Sequence, residues 1–419
     1  MAAPLDIAIC GAGPAGLATA LYLQRLGHNP VIFERFDVAR PVGSGLLLQP
    51  TGQAVLHDLG LLGAMRQLGA PIERLCGTDA RSGRVVLDVR YDQLWSGGAG
   101  LSVHRAALFN VLHDAVVAAG IPVRTSSAIT GLVDRAAGKR ALDLGGEQSE
   151  AFDLVVDCLG AMSPLKGHSL GAGKSRAMQF GAIWATLPWQ DEGFERTALL
   201  QRYRRASVMV GVLPVGRTEP GGPDQASFFW SLKVADYEAL RQGGLAAWKQ
   251  GVLEHWPETR PYLDAIQSFD QLTLARYTQA TMTRPIGQRL AFVGDSAHST
   301  SPQLGQGANM ALLDARALYL ALEENAGDLP AALARYAQLR RYHVRLYQLM
   351  SAVFTPFYQS DSRVLPMIRD VFVAYLARIP PAPAFLAALV AGSLLSPVRQ
   401  LGLETAPHGQ LAVAGQTPT

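Results

Sequence analysis

The sequence predicts an α/β protein: a parallel-sheet nucleotide-binding unit, an antiparallel sheet inserted into it, and a helical tail. Three observations carry this. The first 34 residues read as strand, glycine-rich turn, helix and second strand, a βαβ unit. Between about Met178 and Ala275 the pattern changes to aromatic-rich strands joined by turn-forming segments such as TEPGGPD. RLAFVGD then returns to a buried parallel-type strand, and helical spacing continues to about residue 395. A length of 419 residues suits two large units, or one large fold with insertions.

Element by element, LDIAIC is an apolar run of strand length, and GAGPAG follows it. LATALYLQRLG reads as a helix ending at Gly27, and NPVIFER as the second strand. From Pro50 the spacing turns helical through HDLGLLGAM, and IERLCGTD and GRVVLDVR alternate as strands. HRAALFNVLHDAVVAAG is an amphipathic helix closing at Gly120, followed by short strands in IPVRTS, AITGLVD, RALDLG and FDLVVDCLG. In the inserted region MQFGAIWATL, SVMVGVLPVG and ASFFWSLKV are strand-like, with helices expected in DYEALRQGGLAAWKQGVLEHW and ETRPYLDAIQSF. QGANMALLDARALYLALEEN is a strong helix, and GLETAPHGQLAVAGQTPT is expected to fray.

Composition narrows the function classes. Hydrophobic residues make up 49% and charged residues 17%, enough apolar surface to offset ordering entropy. The 42 glycines cluster in segments such as GAGPAG and GQGAN, which marks loop chemistry. Net charge is +3, and the densest basic group is Arg202, Arg204 and Arg205, so no basic face for nucleic acid is expected. Cys10, Cys76 and Cys158 are odd in number and far apart. They offer neither a disulfide framework nor metal-ligand spacing, so a reducing, cytoplasmic setting without a metal is expected. Asp6 interrupts the N-terminus, so no secretory signal is expected. AFLAALVAGSLL, residues 384–395, would span about 18 Å as a helix, short of a ~30 Å hydrocarbon core. Peripheral membrane contact is the most it could make.

Two motifs carry chemistry. Gly11, Gly13 and Gly16 form G-x-G-x-x-G directly after a strand, with Pro14 and Ala15 opening the helix. Gly11 permits the tight turn, Gly13 the approach of a pyrophosphate, and Gly16 close helix–strand packing. Phosphate oxygens would sit on free N–H groups at the helix start. Glu34 closes the second strand, where its carboxylate can accept ribose hydroxyls. This is a Rossmann-type arrangement. The second motif is RLAFVGDSAHSTSPQLGQGANMALLDA. Asp295 closes a strand and is placed for a polyol hydroxyl, unless it merely caps the turn. Pro302, Gly305 and Gly307 open a long helix, and Asn309 adds a side-chain amide to its first turn. Two such helix ends suit a long, two-ended ligand. Ser296, His298 and Asp295 lack a nucleophile elbow, so His298 reads as structural.

GAGPAG, Glu34-Arg35 and GDSAHSTSPQLGQGAN together resemble the single-component FAD-dependent aromatic monooxygenases of the p-hydroxybenzoate hydroxylase fold, over most of residues 1–350. The tail is loosely similar to ubiquinone-biosynthesis hydroxylases. The resemblance implies an FAD-binding domain of residues 1–70, 98–170 and 284–350, a substrate domain of 71–97 and 171–283, and a helical region of 351–419. It implies that Gly11, Gly13, Pro14, Ala15 and Gly16 hold the FAD pyrophosphate, with Glu34 on the adenosine ribose and Arg35 beside the adenine. Arg105 would reach the pyrophosphate region and Asp295 the ribityl chain. Pro302, Gly305, Gly307, Ala308 and Asn309 would line the isoalloxazine, as would Gly45, with Gly43 in the loop beside the ring.

The implied activity is hydroxylation of an aromatic or apolar phenolic or quinol-like molecule through a flavin C4a-hydroperoxide, with dioxygen and NAD(P)H consumed. Phe180, Trp184, Tyr203, Met209, Phe228 and Trp230 are candidate substrate walls. One motif departs from the family pattern. DLVVDCLGAMSPLK keeps Gly160 and Ser163, but Leu159 stands where an acid is usual and Lys166 where an Arg is usual. Asp157, two residues earlier, is the candidate to supply a carboxylate, though alternation over two positions does not give it equivalent reach, and nicotinamide-driven reduction is put in question. A flavin dehydrogenase or reductase, and a catalytically silent flavin-binding interaction protein, are the rival expectations.

Overall fold

A computed structural model describes residues 3–38, 44–171, 173–373, 375, 377 and 379–405. LDIAIC forms the strand Asp6–Cys10, buried from Ile7 to Cys10, because those four side chains are apolar and both faces are covered. It pairs in parallel with Asn29–Phe33 on one side and Leu154–Asp157 on the other. Leu290–Phe292 and Val123–Arg124 extend this sheet in parallel, and Ile286–Gly287 adds an antiparallel edge. The helices Pro14–Arg25, Arg105–Ala118 and Gly307–Glu324 pack against it, with Leu17, Leu23, Leu108, Leu312 and Leu318 in one core. The chain therefore builds its parallel sheet from segments nearly 290 positions apart.

The second large sheet has seven strands in the order Thr273–Ala275, Phe180–Pro188, Gln225–Lys233, Val208–Gly216, Ala198–Arg204, Arg74–Asp79 and Val85–Arg90. It is antiparallel except where Ala198–Arg204 runs parallel to Arg74–Asp79. One face buries Ile183, Val210, Val212, Phe228 and Trp230 under the helices Leu245–Leu253 and Arg260–Ala265. The expected helix through DYEALRQGGLAAWKQGVLEHW is two, broken at Gly244, whose φ is 86°. A three-stranded sheet of Gly45–Leu48, Gly100–His104 and Ala70–Ile72 joins the two large ones.

The tail corrects an expectation. Within AFLAALVAGSLL the helix Ala382–Val390 buries Ala387, Ala388, Leu389 and Val390, three of them in a core with Leu47, Ile72 and Tyr91. Its apolar side is used on the protein, and peripheral membrane contact gains no support from it. No helix among the described residues is long and apolar enough to cross a membrane. The segment expected to fray lies, from residue 406, outside the described residues.

Candidate functional site

Gly11 follows the first strand at φ 102°, and a Cβ there would sit 2.8 Å from the Cys158 carbonyl oxygen. At Gly16 a Cβ would lie 2.0 Å from the Gly11 carbonyl oxygen, so these two glycines are demanded by packing alone. Gly13 is different: nothing lies within 4 Å of a Cβ built on it. It is the extended N-cap of the helix Pro14–Arg25 and has no side-chain cap, and Gly13, Pro14 and Ala15 are half-buried. The first N–H groups of the helix thus open onto free space, the arrangement that receives phosphate. At the end of the neighbouring strand Glu34 accepts from Ala12 N at 2.9 Å and from Phe36 N at 3.2 Å. Its carboxylate is held in place with lone pairs to spare. Arg35 is exposed, its guanidinium 4.6 Å from the Phe36 ring centroid.

The second motif meets the first. A Cβ on Gly294 would stand 3.4 Å from that of Ala15, so the Gly-Asp turn abuts the glycine-rich helix start. Asp295 begins the short helix Asp295–His298, and its neighbours Ser296, Ala297 and His298 are all buried. Dense surroundings push its carboxyl above the usual range, with the charges of His298, Arg105 and Lys166 opposing, yet the residue is exposed. A carboxylate both crowded and open lines a cleft. Arg105 starts the helix Arg105–Ala118 and is exposed to the same space.

Pro302 is exposed at the start of a short turn, and Gly305 follows in the left-handed region at φ 60°. A Cβ on Gly307 would be 3.8 Å from Asp295 Oδ1, and Gly307 and Ala308 are half-buried in the first turn of the helix Gly307–Glu324. Asn309 departs from expectation. Its side chain is fully buried, accepting from Gln49 N at 2.8 Å and donating to Leu47 O and Gly305 O at 3.0 and 2.8 Å. The amide ties a strand to the helix, with both donors used and the side chain fully buried. Gln49, which sequence reasoning missed, has a buried Nε2 with no partner, and a Cβ on Gly305 would be 3.8 Å from it. Gly45 is pressed against Val215 and Ser227, where a Cβ would come within 2.4 and 3.0 Å. Gly43 lies outside the described residues.

Asp157 is no surrogate for the acid absent at Leu159. It is fully buried and accepts from Leu159 N at 2.9 Å and from the Ser163 hydroxyl at 2.5 Å. Burial pushes its carboxyl up to about 6, against the pull of those two hydrogen bonds. Leu159 packs partly buried beside the core of Cys10, Phe33 and Phe292. His298 is structural: its Nε2 lies 2.5 Å from Asp314 Oδ2, which also accepts from Gly294 N at 2.9 Å. Arg340 Nε donates to the other oxygen at 2.6 Å. Burial alone would raise the Asp314 carboxyl, but His298 and Arg340 outweigh it and hold it at about 2.

The candidate walls divide between the two faces of the seven-stranded sheet, since alternate side chains point to opposite faces. Phe228 and Trp230 are corrected: both lie in the core under the helices, away from the parallel-sheet unit. Trp184, Tyr203 and Met209 share the other face with Phe229, whose ring lies 4.5 Å from Trp184. Phe180 has the parity of Trp184. Trp184 Nε1 donates to the Tyr277 hydroxyl at 3.1 Å, and burial pushes that phenol up to about 12. On the same face Thr186 Oγ1 lies 3.2 Å from His104 Nε2 and 3.3 Å from Ser44 Oγ, which is 2.5 Å from Ser227 Oγ. His104 Nδ1 accepts from Ala106 N at 3.1 Å, so a neutral ring carries its proton on Nε2 and donates it to Thr186. These hydroxyls stitch the three-stranded and seven-stranded sheets together at Ser44 and Gly45.

The crowded acid, the open helix start and the unpartnered Gln49 amide suit a long ligand with phosphates at one end and a hydrogen-bonding ring at the other. None of these groups forms a nucleophile–base pair, so the chemistry must come with the ligand.

The family model described as an FAD binding domain matches residues 4–347. The FAD-dependent urate hydroxylase of Mycolicibacterium vanbaalenii is 24% identical over 341 residues, covering 80% of this chain and 84% of that protein. The 3-amino-4-hydroxybenzoate 2-monooxygenase of Streptomyces cremeus is 28% identical over 344 residues, covering 80% and 83%. Among solved structures, Klebsiella pneumoniae HpxO complexed with FAD and uric acid superposes with a TM-score of 0.79 at 20% identity, covering 93% of this chain and 98% of that one. That likeness establishes the shared fold.

Proposed function

Since this chain belongs to the FAD-binding domain family and is an FAD-dependent monooxygenase, we propose that it hydroxylates a planar aromatic or heteroaromatic molecule at the expense of dioxygen and NAD(P)H. The observation that carries this reading is the meeting of the two glycine-bearing helix starts, at Gly294 and Ala15. The relatives named above act on urate and an aminohydroxybenzoate, which favours oxygen transfer over the dehydrogenase and silent-protein readings.

In this reading the helix start at Gly13, Pro14, Ala15 and Gly16 takes the pyrophosphate, with Arg105 adding charge across it. Glu34 takes the adenosine ribose hydroxyls and Arg35 stands at the adenine. Asp295 takes the ribityl hydroxyls, and Pro302, Gly305, Gly307, Ala308 and the backbone of Asn309 face the flavin ring. We add Gln49, whose free amide donor lies beside Gly305 and would serve that ring's polar edge. FAD, when bound, supplies the electron transfer and the activation of dioxygen. The chain supplies orientation and dryness: Trp184, Tyr203, Met209 and Phe229 form an apolar wall that keeps water from the reacting ring. We read residues 1–70, 98–170 and 284–350 as the FAD-binding domain, 71–97 and 171–283 as the substrate domain, and 351–419 as the tail.

The test combines three measurements on purified protein. The visible spectrum reports flavin, a substrate screen follows NADH and NADPH consumption, and mass spectrometry follows label from ¹⁸O₂ into product. Incorporation of one labelled oxygen is expected. Turnover with an unlabelled product would replace oxygen transfer with dehydrogenation.

A further inference from the structure

The helix Leu329–Tyr358 changes character along its solvent face. Over the first half that face is polar, with Gln338, Arg341 and Arg345 exposed. From Leu346 to Ser360 no residue is charged, and Leu349, Ala352 and Val353 stand in water, Leu349 at 57% exposure. A surface helix packed on one side ordinarily keeps polar residues on the other. The inner side of this one is in use. Gln348 Nε2 donates to His298 O and Ser299 O at 3.1 Å each, and the Thr300 hydroxyl donates to Ser351 Oγ at 2.8 Å. The bare apolar residues are therefore a second, outward face.

The chain reverses after Gln359 and returns beside the end of the helix, where Arg369 Nη1 donates to Phe357 O at 3.0 Å. Arg369 is fully shielded from water, 5.0 Å from the Tyr203 ring centroid and 5.1 Å from that of Tyr358, and Pro366 is buried. The returning segment is thus pinned by its inner side. Its outer side exposes Val364, Met367 and Val371 at spacings of three and four, and Tyr375 four residues on. Among the described residues, nine of the fifteen exposed large apolar side chains lie between Tyr342 and Phe385. The exposure is gathered on one helical hairpin, and scattered surface apolar residues would not give that.

Area and charge say what covers this face. Leu349, Val353, Val364, Met367, Val371 and Tyr375 offer on the order of 600 Å² of apolar surface, the upper end for a lone monomer and most of the ~800 Å² each partner gives to a standard interface. Arg345 and Asp361 stand eight residues before and eight after Val353. Both are exposed, Asp361 beside Lys233 at 2.8 Å. A two-fold axis near Val353 sets the basic end of one helix against the acidic end of its copy. From 342 to 375 there is no lysine, and with Arg369 buried two arginines stand against two aspartates. The basic rim that an anionic lipid surface attracts is missing.

We propose that this hairpin is a homodimer interface. A second copy of the chain packs its own helix Leu329–Tyr358 and residues 364–375 against it, antiparallel about a two-fold axis near Val353, with Arg345 facing the partner's Asp361. The dimer goes beyond the catalytic reading and does not depend on it.

The experiment is sedimentation equilibrium of the FAD-loaded full chain at micromolar concentrations, where twice the chain mass is expected. Leu349→Glu and Met367→Glu should each weaken the dimer about a hundredfold while FAD content holds, since each substitution enters a two-fold interface twice. Arg345→Glu should weaken it about tenfold, and Asp361→Arg added in the same chain should restore it. A monomer at every concentration overturns the proposal, as does a dimer that survives both glutamate variants or a charge swap that fails to restore it. Flotation of a monomeric chain with phosphatidylserine-containing vesicles would assign the face to lipid instead and equally overturn it. Should a glutamate variant fail to fold, the wild-type mass and the charge swap still decide. None of these measurements uses turnover.

Discussion

Asp157→Asn isolates a buried titration. The carboxyl sits at about 6 in the folded chain against an ordinary 3.8, raised by burial. The native state therefore binds this proton more tightly than the unfolded one. Its contribution to stability is fully present below pH 3.8 and is lost as pH rises through 6. A shift from 3.8 to about 6 corresponds to about 3 kcal/mol at neutral pH. Asparagine keeps the shape and an oxygen for Leu159 N, but removes the charge that costs so much to bury. It reorganises the hydrogen bond with Ser163, which returns about 1 kcal/mol of the gain. The variant should therefore be about 2 kcal/mol more stable than wild type at pH 7.5 and no more stable at pH 4. Urea unfolding at saturating FAD from pH 4 to 8, read as variant minus wild type, cancels every other titrating group. A difference that is flat across pH 4–6 would refute the assignment of a buried, ionising Asp157.

Three further outcomes are expected. Gly13→Ala should leave the Tm of FAD-free protein unchanged and weaken FAD binding, because its methyl meets only open space, whereas Gly16→Ala should cost about 2 kcal/mol by forcing strand and helix apart; thermal melts and flavin retention separate the two. Asp314→Asn should destabilise by about 3–5 kcal/mol, since Arg340 loses its buried counter-charge. In wild type that pair's stability is lost as pH falls from 3.8 through about 2, an acid limb the variant should lack in denaturation curves. Asp295→Ala should weaken FAD binding about tenfold with little change in folding, measured by quenching of FAD fluorescence.

The glycine fingerprint and the Gly-Asp motif were legible because each needs a fixed backbone at a fixed place in the chain. Strand and helix flanks read correctly around both. The strand Ala198–Arg204 was not anticipated, because its burial follows no clean alternation and its charged residues resemble a loop. Phe228, Phe229 and Trp230 are adjacent and aromatic, so the sequence could not say which of them faces the site; only the pairing of Phe228 with Ala185 settles the parity. AFLAALVAGSLL was read by hydropathy alone, and hydropathy does not distinguish a lipid surface from a protein core. Gln49 was hidden as one amide among polar residues until Gly305 came beside it.

The parallel sheet sets a schedule for biogenesis. Asp6–Cys10 pairs with Leu154–Asp157, which pairs with Leu290–Phe292, and Asp157 O receives Val293 N at 2.9 Å. At about 5–20 residues per second, the last of these strands is synthesised roughly 15–60 s after the first. Through that interval the nascent chain holds an apolar strand whose partner does not yet exist, and contacts of such long range also close slowly. The seven-stranded sheet, except for its 273–275 edge, can pair earlier, so the chain assembles its substrate wall before its nucleotide cradle. Chaperone demand during synthesis should therefore end only when Leu290–Phe292 emerges.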